Sequence, residues 1–214
     1  MKITVVIDSP KSWFSVYGDQ LVEKLSKEHK VNKVYGIKSI EPSDIVFLMS
    51  ITKMVPNDIL KKSKHNIVVH ASDLPTGKGW SPMPWQIIEG KRCIPLTLFE
   101  ATECVDSGAY YIKDNIELTG LELLPELRKK LSSKIIEMCI EFVDNYNMMK
   151  PIQQEGKETF YSKRGKENSE LDINKTIFEQ FNLLRTVDNE NYPAFFWINE
   201  KKYILKIYTD EENV

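Results

Sequence analysis

Apolar positions along the chain fall into short runs divided by polar turns. Lys2-Ile3-Thr4-Val5-Val6-Ile7 is rich in β-branched residues and is closed by Asp8-Ser9-Pro10, which predicts a buried strand. Over residues 16–29, Leu21, Val22 and Leu25 sit among charges at helical spacing, an amphipathic helix. Residues 34–37 and 45–49 read as two further strands. Pro56-Asn57 opens a helix through Leu60, and residues 67–69 form the next strand. The stretch Pro75-Thr76-Gly77-Lys78-Gly79-Trp80-Ser81-Pro82 holds two glycines and two prolines and predicts an irregular loop. Beyond it come a helix over 84–89 ending at Gly90, strands over 94–100 and 110–118, and a long amphipathic helix over 121–147. Leu124, Leu127, Leu131, Ile135, Met138 and Phe142 recur along that helix, and Pro125 lies in its first turn, where a missing N–H costs little.

Residues 150–158 are polar, carry Pro151 and Gly156, and read as a linker. A helix over 176–187 and strands over 194–198 and 202–208, joined at Asn199-Glu200-Lys201, make a small final unit. The element order predicts an α/β fold with a doubly wound, mostly parallel sheet over 1–149, and a small C-terminal α+β extension over 159–214. Ligands of such sheets sit outside the carboxyl ends of the strands, and His70 falls at such an end.

Composition narrows the partners. A net charge of −2 argues against a nucleic-acid partner. The local clusters Lys61-Lys62-Ser63-Lys64, Arg128-Lys129-Lys130 and Lys201-Lys202 read as solvated helix ends and turns. No apolar run approaches membrane-spanning length, so no membrane association is expected. Met1-Lys2 leads directly into a strand, and the three cysteines Cys93, Cys104 and Cys139 lack metal-ligand spacing. A cytoplasmic protein without signal peptide or metal is expected.

The candidate chemistry lies in two segments. His70 stands in His70-Ala71-Ser72-Asp73-Leu74-Pro75, and Asp106 in Val105-Asp106-Ser107-Gly108, 36 residues on. Singly, a histidine at a strand end is more often a satisfied polar residue, and Asp-Ser-Gly more often a turn. Together, an imidazole and a carboxylate are the parts needed to move a proton during acyl transfer.

These segments and their spacing resemble the folate-dependent formyltransferase family, which has a methionyl-tRNA formyltransferase-like fold. Phe160-Tyr161-Ser162-Lys163-Arg164, Glu179-Gln180-Phe181-Asn182-Leu183-Leu184-Arg185 and Tyr192-Pro193-Ala194-Phe195-Phe196 look most like its bacterial nucleotide-sugar N-formyltransferases. Some of these serve surface-glycan or pseudaminic-acid-type pathways. The resemblance implies transfer of a formyl group from N10-formyltetrahydrofolate to the amino group of a UDP- or dTDP-linked 4-amino-4,6-dideoxy sugar. It implies that His70, helped by Ser72 or a loop N–H, steadies the oxyanion while Asp106 assists proton transfer. It maps a pterin pocket onto Ser50, Ile51, Met54, Val55, Glu100, Ala101, Cys104 and Val105, of which Met54 and Val55 also suit plain core packing. It leaves Lys78, Gly79, Trp80, Arg164, Asn182, Arg185 and Tyr192 for the nucleotide sugar; a surface or internal ion pair is the plain reading of Arg185, Lys78 and Arg164, and a structural role that of Trp80, Asn182 and Tyr192. One position departs from the pattern. The family carries Asn two residues before the histidine, where this chain has Val68, and Asn66 lies two residues further back. A methionyl-tRNA or other amine formyltransferase, or a folate-binding module without catalysis, remains the alternative. The 121–147 helix offers a face for a homodimer.

Overall fold

The computed structural model describes residues 1–210. Residues 211–214, the tip of the expected C-terminal unit, lie outside the described residues. In chain order the elements are β1 (Lys2–Ile7), α1 (Ser15–Leu25), β2 (Lys30–Tyr35), β3 (Ser43–Met49), α2 (Asn57–Leu60), β4 (Ser63–His70), β5 (Lys78–Gly79), α3 (Pro82–Ile88) and β6 (Cys93–Glu100). They continue as β7 (Tyr110–Glu117), α4 (Leu124–Asp144), β8 (Phe160–Tyr161), α5 (Phe181–Leu184), β9 (Ala194–Ile198) and β10 (Lys201–Leu205).

The central sheet runs β2-β1-β3-β4-β6-β7. The pairs β1–β2, β1–β3 and β3–β4 are parallel, and β6 and β7 add antiparallel at one edge. It is a Rossmann-like, mostly parallel sheet with helices, plus a small antiparallel hairpin, β9–β10, near the C-terminus. Strands buried on both faces read as nearly continuous apolar runs, which is why β1 and β3 were legible.

Side-chain alternation sorts those runs onto two cores. Ile3, Val5 and Ile7 of β1, Ile45, Phe47 and Met49 of β3, and Ile67 of β4 meet α1, α3 and α4 on one face. Val6, Val46 and Leu48 point the other way, onto a smaller cluster with Ile59 and Leu60 of α2, Val55, and the half-buried Ile51, Val68 and Ala101. The second face is therefore thinly covered, by a one-turn helix and loops. His70 shares the alternation of Val68 and points to that side.

Three expectations shift. The second strand begins at Lys30 rather than near residue 34; its pattern is half exposed, as an edge strand's is. Only Phe181–Leu184 of the expected 176–187 helix is helical. Over 172–180, side chains of Asp172, Thr176, Glu179 and Gln180 bond local backbone instead, a competition these short polar residues commonly win. Residues 150–158 do not run free as a linker, because Ile152 pairs with Tyr110 and Gln154 bonds the carbonyls of Asp106 and Gly108. Among the described residues no helix is long and apolar enough to cross a membrane.

Candidate active site

β4 ends at His70, and the chain then turns through 71–77. The His70 Nε2 lies 2.9 Å from the Gly77 carbonyl oxygen. A carbonyl only accepts, so Nε2 carries the hydrogen and, in the neutral ring, Nδ1 keeps the lone pair. Asp106 Oδ2 lies 3.8 Å from Nε2. That is too long for a hydrogen bond, so the expected His70–Asp106 bond is not made; Oδ2 instead accepts from the Gly79 amide at 2.8 Å. A shift of about 0.6–1 Å, with Nε2–H leaving the Gly77 carbonyl, would close the gap, and such contacts commonly tighten only with substrate bound. Both groups are largely shielded, with side-chain exposures of 10% and 17%. Ser72 is buried beside them, and its hydroxyl has no hydrogen-bond partner among the described residues.

The Asp106 turn is held by chain far away in sequence. β5 pairs parallel with β8, and the Gly77 amide donates to Thr159 Oγ1 at 2.8 Å. Gln154 Nε2 donates to the carbonyls of Asp106 and Gly108 at 3.0 and 2.8 Å. Gly79 has φ +96°, and a Cβ there would stand 2.6 Å from the Tyr161 carbonyl oxygen, so only glycine lets these two strands approach.

The two segments expected around a pterin meet on the thin face of the sheet. Ile51, Val55, Val68 and Ala101 share one apolar cluster. Met54 and Val105 stay exposed at its edge, Cys104 is exposed, and Ser50 turns the chain with φ 55°. Among the described residues, the main chain of 51–55 makes no hydrogen bond to another backbone group. An apolar floor rimmed by open main-chain donors and acceptors fits a flat heterocycle with a polar edge, so the residues present suit a folate head group.

The Glu100 side chain leaves this face. Its carboxylate turns to the opposite face, accepting from the Asn66 amide at 2.5 Å and the Tyr111 hydroxyl at 3.1 Å, with His65 Nδ1 at 3.0 Å. Burial and the Glu100 charge push the Tyr111 phenol well up. Nor does Asn66 replace the family Asn, since its amide donates to the Leu60 carbonyl at 2.9 Å.

Most cations expected at the acceptor are occupied. Arg185 is 1% exposed, with Nε on Asn182 Oδ1 at 3.0 Å and Nη1 3.6 Å from Glu122 Oε2. That contact also engages the Asn182 Oδ1. Lys78, equally buried, is bound to Glu158 and Ser107. Arg164 donates to Thr186 and lies 5.8 Å from the Trp85 ring, and burial lowers its guanidinium pKa. Tyr192 is exposed on the 188–192 turn and makes none of the contacts that build the Asp106 turn. Trp80 keeps an open ring, with Lys163 Nζ 5.0 Å above it. Lys163, Ser107, Gln154 and Glu158 escaped the sequence reading, because the contacts that matter depend on tertiary pairing. Two surface clefts of about 320 and 350 Å³, one lined by Thr4, Lys33 and Glu41 and one by Glu170, Asp172 and Trp197, include neither His70 nor Asp106.

A parallel-sheet protein with a histidine–carboxylate pair at the carboxyl end of a central strand belongs to the α/β class that binds ligands at such ends. Residues 8–142 match the model of the formyl transferase family, and the chain belongs to that family. It is 26% identical over 187 residues to methionyl-tRNA formyltransferase of Mycoplasma capricolum, covering 86% of this chain and 59% of that one. The chain thus spans about three fifths of the length of the curated relatives it matches. Its fold superposes on methionyl-tRNA formyltransferase from Clostridium thermocellum with a TM-score of 0.83 at 18% identity, covering 100% of this chain and 95% of that one. On a 4-N formyltransferase from Francisella tularensis the TM-score is 0.74 at 19% identity, covering 96% of both chains.

Proposed function

We propose that this protein moves a formyl group from N10-formyltetrahydrofolate to the amino group of a nucleotide-linked aminodeoxy sugar. The observation that carries the transfer reading is His70 at the end of β4 with Asp106 Oδ2 at 3.8 Å. N10-formyltetrahydrofolate supplies an activated formyl carbon. As the amine attacks, its nitrogen bonds that carbon, the bond to N10 breaks, and one proton passes from amine to N10. His70 Nε2–H leaves the Gly77 carbonyl for the charge that builds on the formyl oxygen. Asp106 takes the amine proton. Ile51, Val55 and Ala101 floor the pterin, and the 51–55 main chain meets its polar edge.

For the acceptor, Trp80 with Lys163 above it offers a stacking face and a cation, the pair a base and its phosphate require. Against a large RNA stand the net charge of −2 and the internal pairing of Lys78 and Arg185. The named relatives favour a second reading, methionyl-tRNA as acceptor. We place the reaction in the cytoplasm, with residues 1–149 as the catalytic part and 159–214 as a small accessory unit.

The experiment measures tetrahydrofolate release from N10-formyltetrahydrofolate with UDP- and dTDP-linked 3-amino and 4-amino dideoxy sugars and with charged initiator tRNA. Release with one nucleotide sugar, reduced about 10²–10⁴-fold in His70→Ala and Asp106→Asn, is expected. Release with tRNA alone overturns the sugar assignment. Folate binding without release from any acceptor overturns catalysis.

A further inference from the structure

Lys78, like Arg185, is a buried cation that the transfer chemistry leaves unused. It lies in a glycine-rich loop, where side chains ordinarily reach solvent, yet is 1% exposed. An ammonium stays charged in such a place only when paired. Its Nζ donates to Glu158 Oε1 at 2.5 Å and to Ser107 Oγ at 2.7 Å. The Ser107 hydroxyl passes its own hydrogen to the Val105 carbonyl at 2.8 Å, so its orientation is fixed. One residue on, the Gly79 amide holds Asp106 Oδ2. Asp106 itself has φ 46°, a left-handed conformation that non-glycine residues keep only where surrounding contacts over-determine it. Those contacts are here: Gly79 on the carboxylate, Lys78 on the next hydroxyl, and Gln154 on the carbonyls of Asp106 and Gly108.

We propose that Lys78 and Glu158 form a positioning pair that locks the Asp106–Ser107 turn against the 150–161 strap, and that Lys78 does not meet substrate. The proposal rests on the reading of His70 and Asp106 as the reacting groups. Glu158 neutralises the ammonium from the solvent side, and the pair fixes where the Asp106 carboxylate stands relative to His70.

The test compares Lys78→Met, Lys78→Arg and Glu158→Gln with the wild-type chain in two measurements. In the tetrahydrofolate-release assay, Lys78→Met lowers kcat by about 10²-fold, the size of effect a displacement of roughly 1 Å brings. Donor and amine KM stay within about twofold, and Lys78→Arg, which keeps the charge and donors, recovers part of kcat. In amide hydrogen exchange on the unliganded protein, the amides of Gly79, Trp80 and Tyr110, which bond Asp106 Oδ2 and the Tyr161 and Ile152 carbonyls, lose protection by about tenfold or more in Lys78→Met and Glu158→Gln and regain it in Lys78→Arg. A raised amine KM with kcat intact overturns the proposal, because Lys78 then grips the acceptor. Unchanged exchange at Gly79, Trp80 and Tyr110 also overturns it. If the wild-type chain releases no tetrahydrofolate with any acceptor, the transfer reading fails, and the exchange measurement still decides the clamp. Should Lys78→Met not fold, Glu158→Gln, at a half-exposed carboxylate, reads the same exchange.

Discussion

Val68 faces the same side of β4 as His70, two residues before it, and packs beside Ile51, Val55 and Ala101. An oxyanion donor is worth about 10²–10³ in rate, and a valine supplies none. Val68→Asn is therefore expected to raise kcat for formyl transfer by about tenfold or more. It is expected to cost about 1–3 kcal/mol of stability, since the amide enters an apolar cluster. Turnover in the assay and a urea melt read the two effects; unchanged turnover means that another donor already serves the formyl oxygen. Glu122 tells a different story at the same scale. Burial alone pushes its carboxyl up, but Lys130 and the amides of Thr119 and Gly120 outweigh burial and hold it at about 2. Arg185 faces it across 3.6 Å. Glu122→Gln leaves the buried guanidinium without its counter-charge and is expected to destabilise the protein by about 3 kcal/mol at neutral pH, read by denaturant unfolding.

The elements differ in how much of them the chain displays. β1, β3, β6, β7 and α4 show themselves through runs of buried residues whose period matches the structure. The strand-end position of His70 follows from β4 alone, so the place of this candidate residue was readable. β5 and β8 are two residues each and carry no period, and yet they bring the tail onto the Asp106 turn. For Lys78 and Arg185 an ion pair was the plain reading, but the partners, Glu158 and Glu122, arrive from distant chain and carry no local signal. Gly108 displays its element's constraint most sharply. A Cβ there would lie 1.7 Å from the Glu100 carbonyl oxygen, which closes the 100–109 loop. Gly108→Ala is expected to displace that loop, lowering both folate affinity and kcat by about tenfold or more, with Tm falling. Fluorescence titration with tetrahydrofolate beside the release assay checks it, and preserved affinity argues that the 101–105 wall does not touch folate.

At the scale of the whole molecule, α4 and the turn before it hold the C-terminal unit by two charged contacts. Arg128 meets Asp188 at 3.0 Å, and Lys130 with Arg185 meets Glu122. Asp188, like Glu122, is held below its ordinary value: burial raises it, and the amides and side chain around it, with Arg128, lower it further than burial lifts. Carboxylates with depressed folded values stabilise above their unfolded values, and the contribution is lost as pH falls through the folded ones. For Glu122 that window runs from 4.5 down to about 2. Acidification is therefore expected to release residues 181–188 before the sheet opens. Hydrogen exchange from pH 5 to about 2.5 checks this, with simultaneous loss in β1 and α5 as the contrary result. The strap carries one more consequence, in the order of assembly. Gly77 meets Thr159, and Lys78 meets Glu158, across separations of 82 and 80 positions. Contacts that distant close late, and synthesis proceeds from the N-terminus. A nascent chain already owns its sheet, its histidine and its aspartate while the clamp is still inside the ribosome. The proposed clamp can close on the Asp106 turn only after residues 158–161 have emerged, so the pair is positioned later than the sheet that carries it.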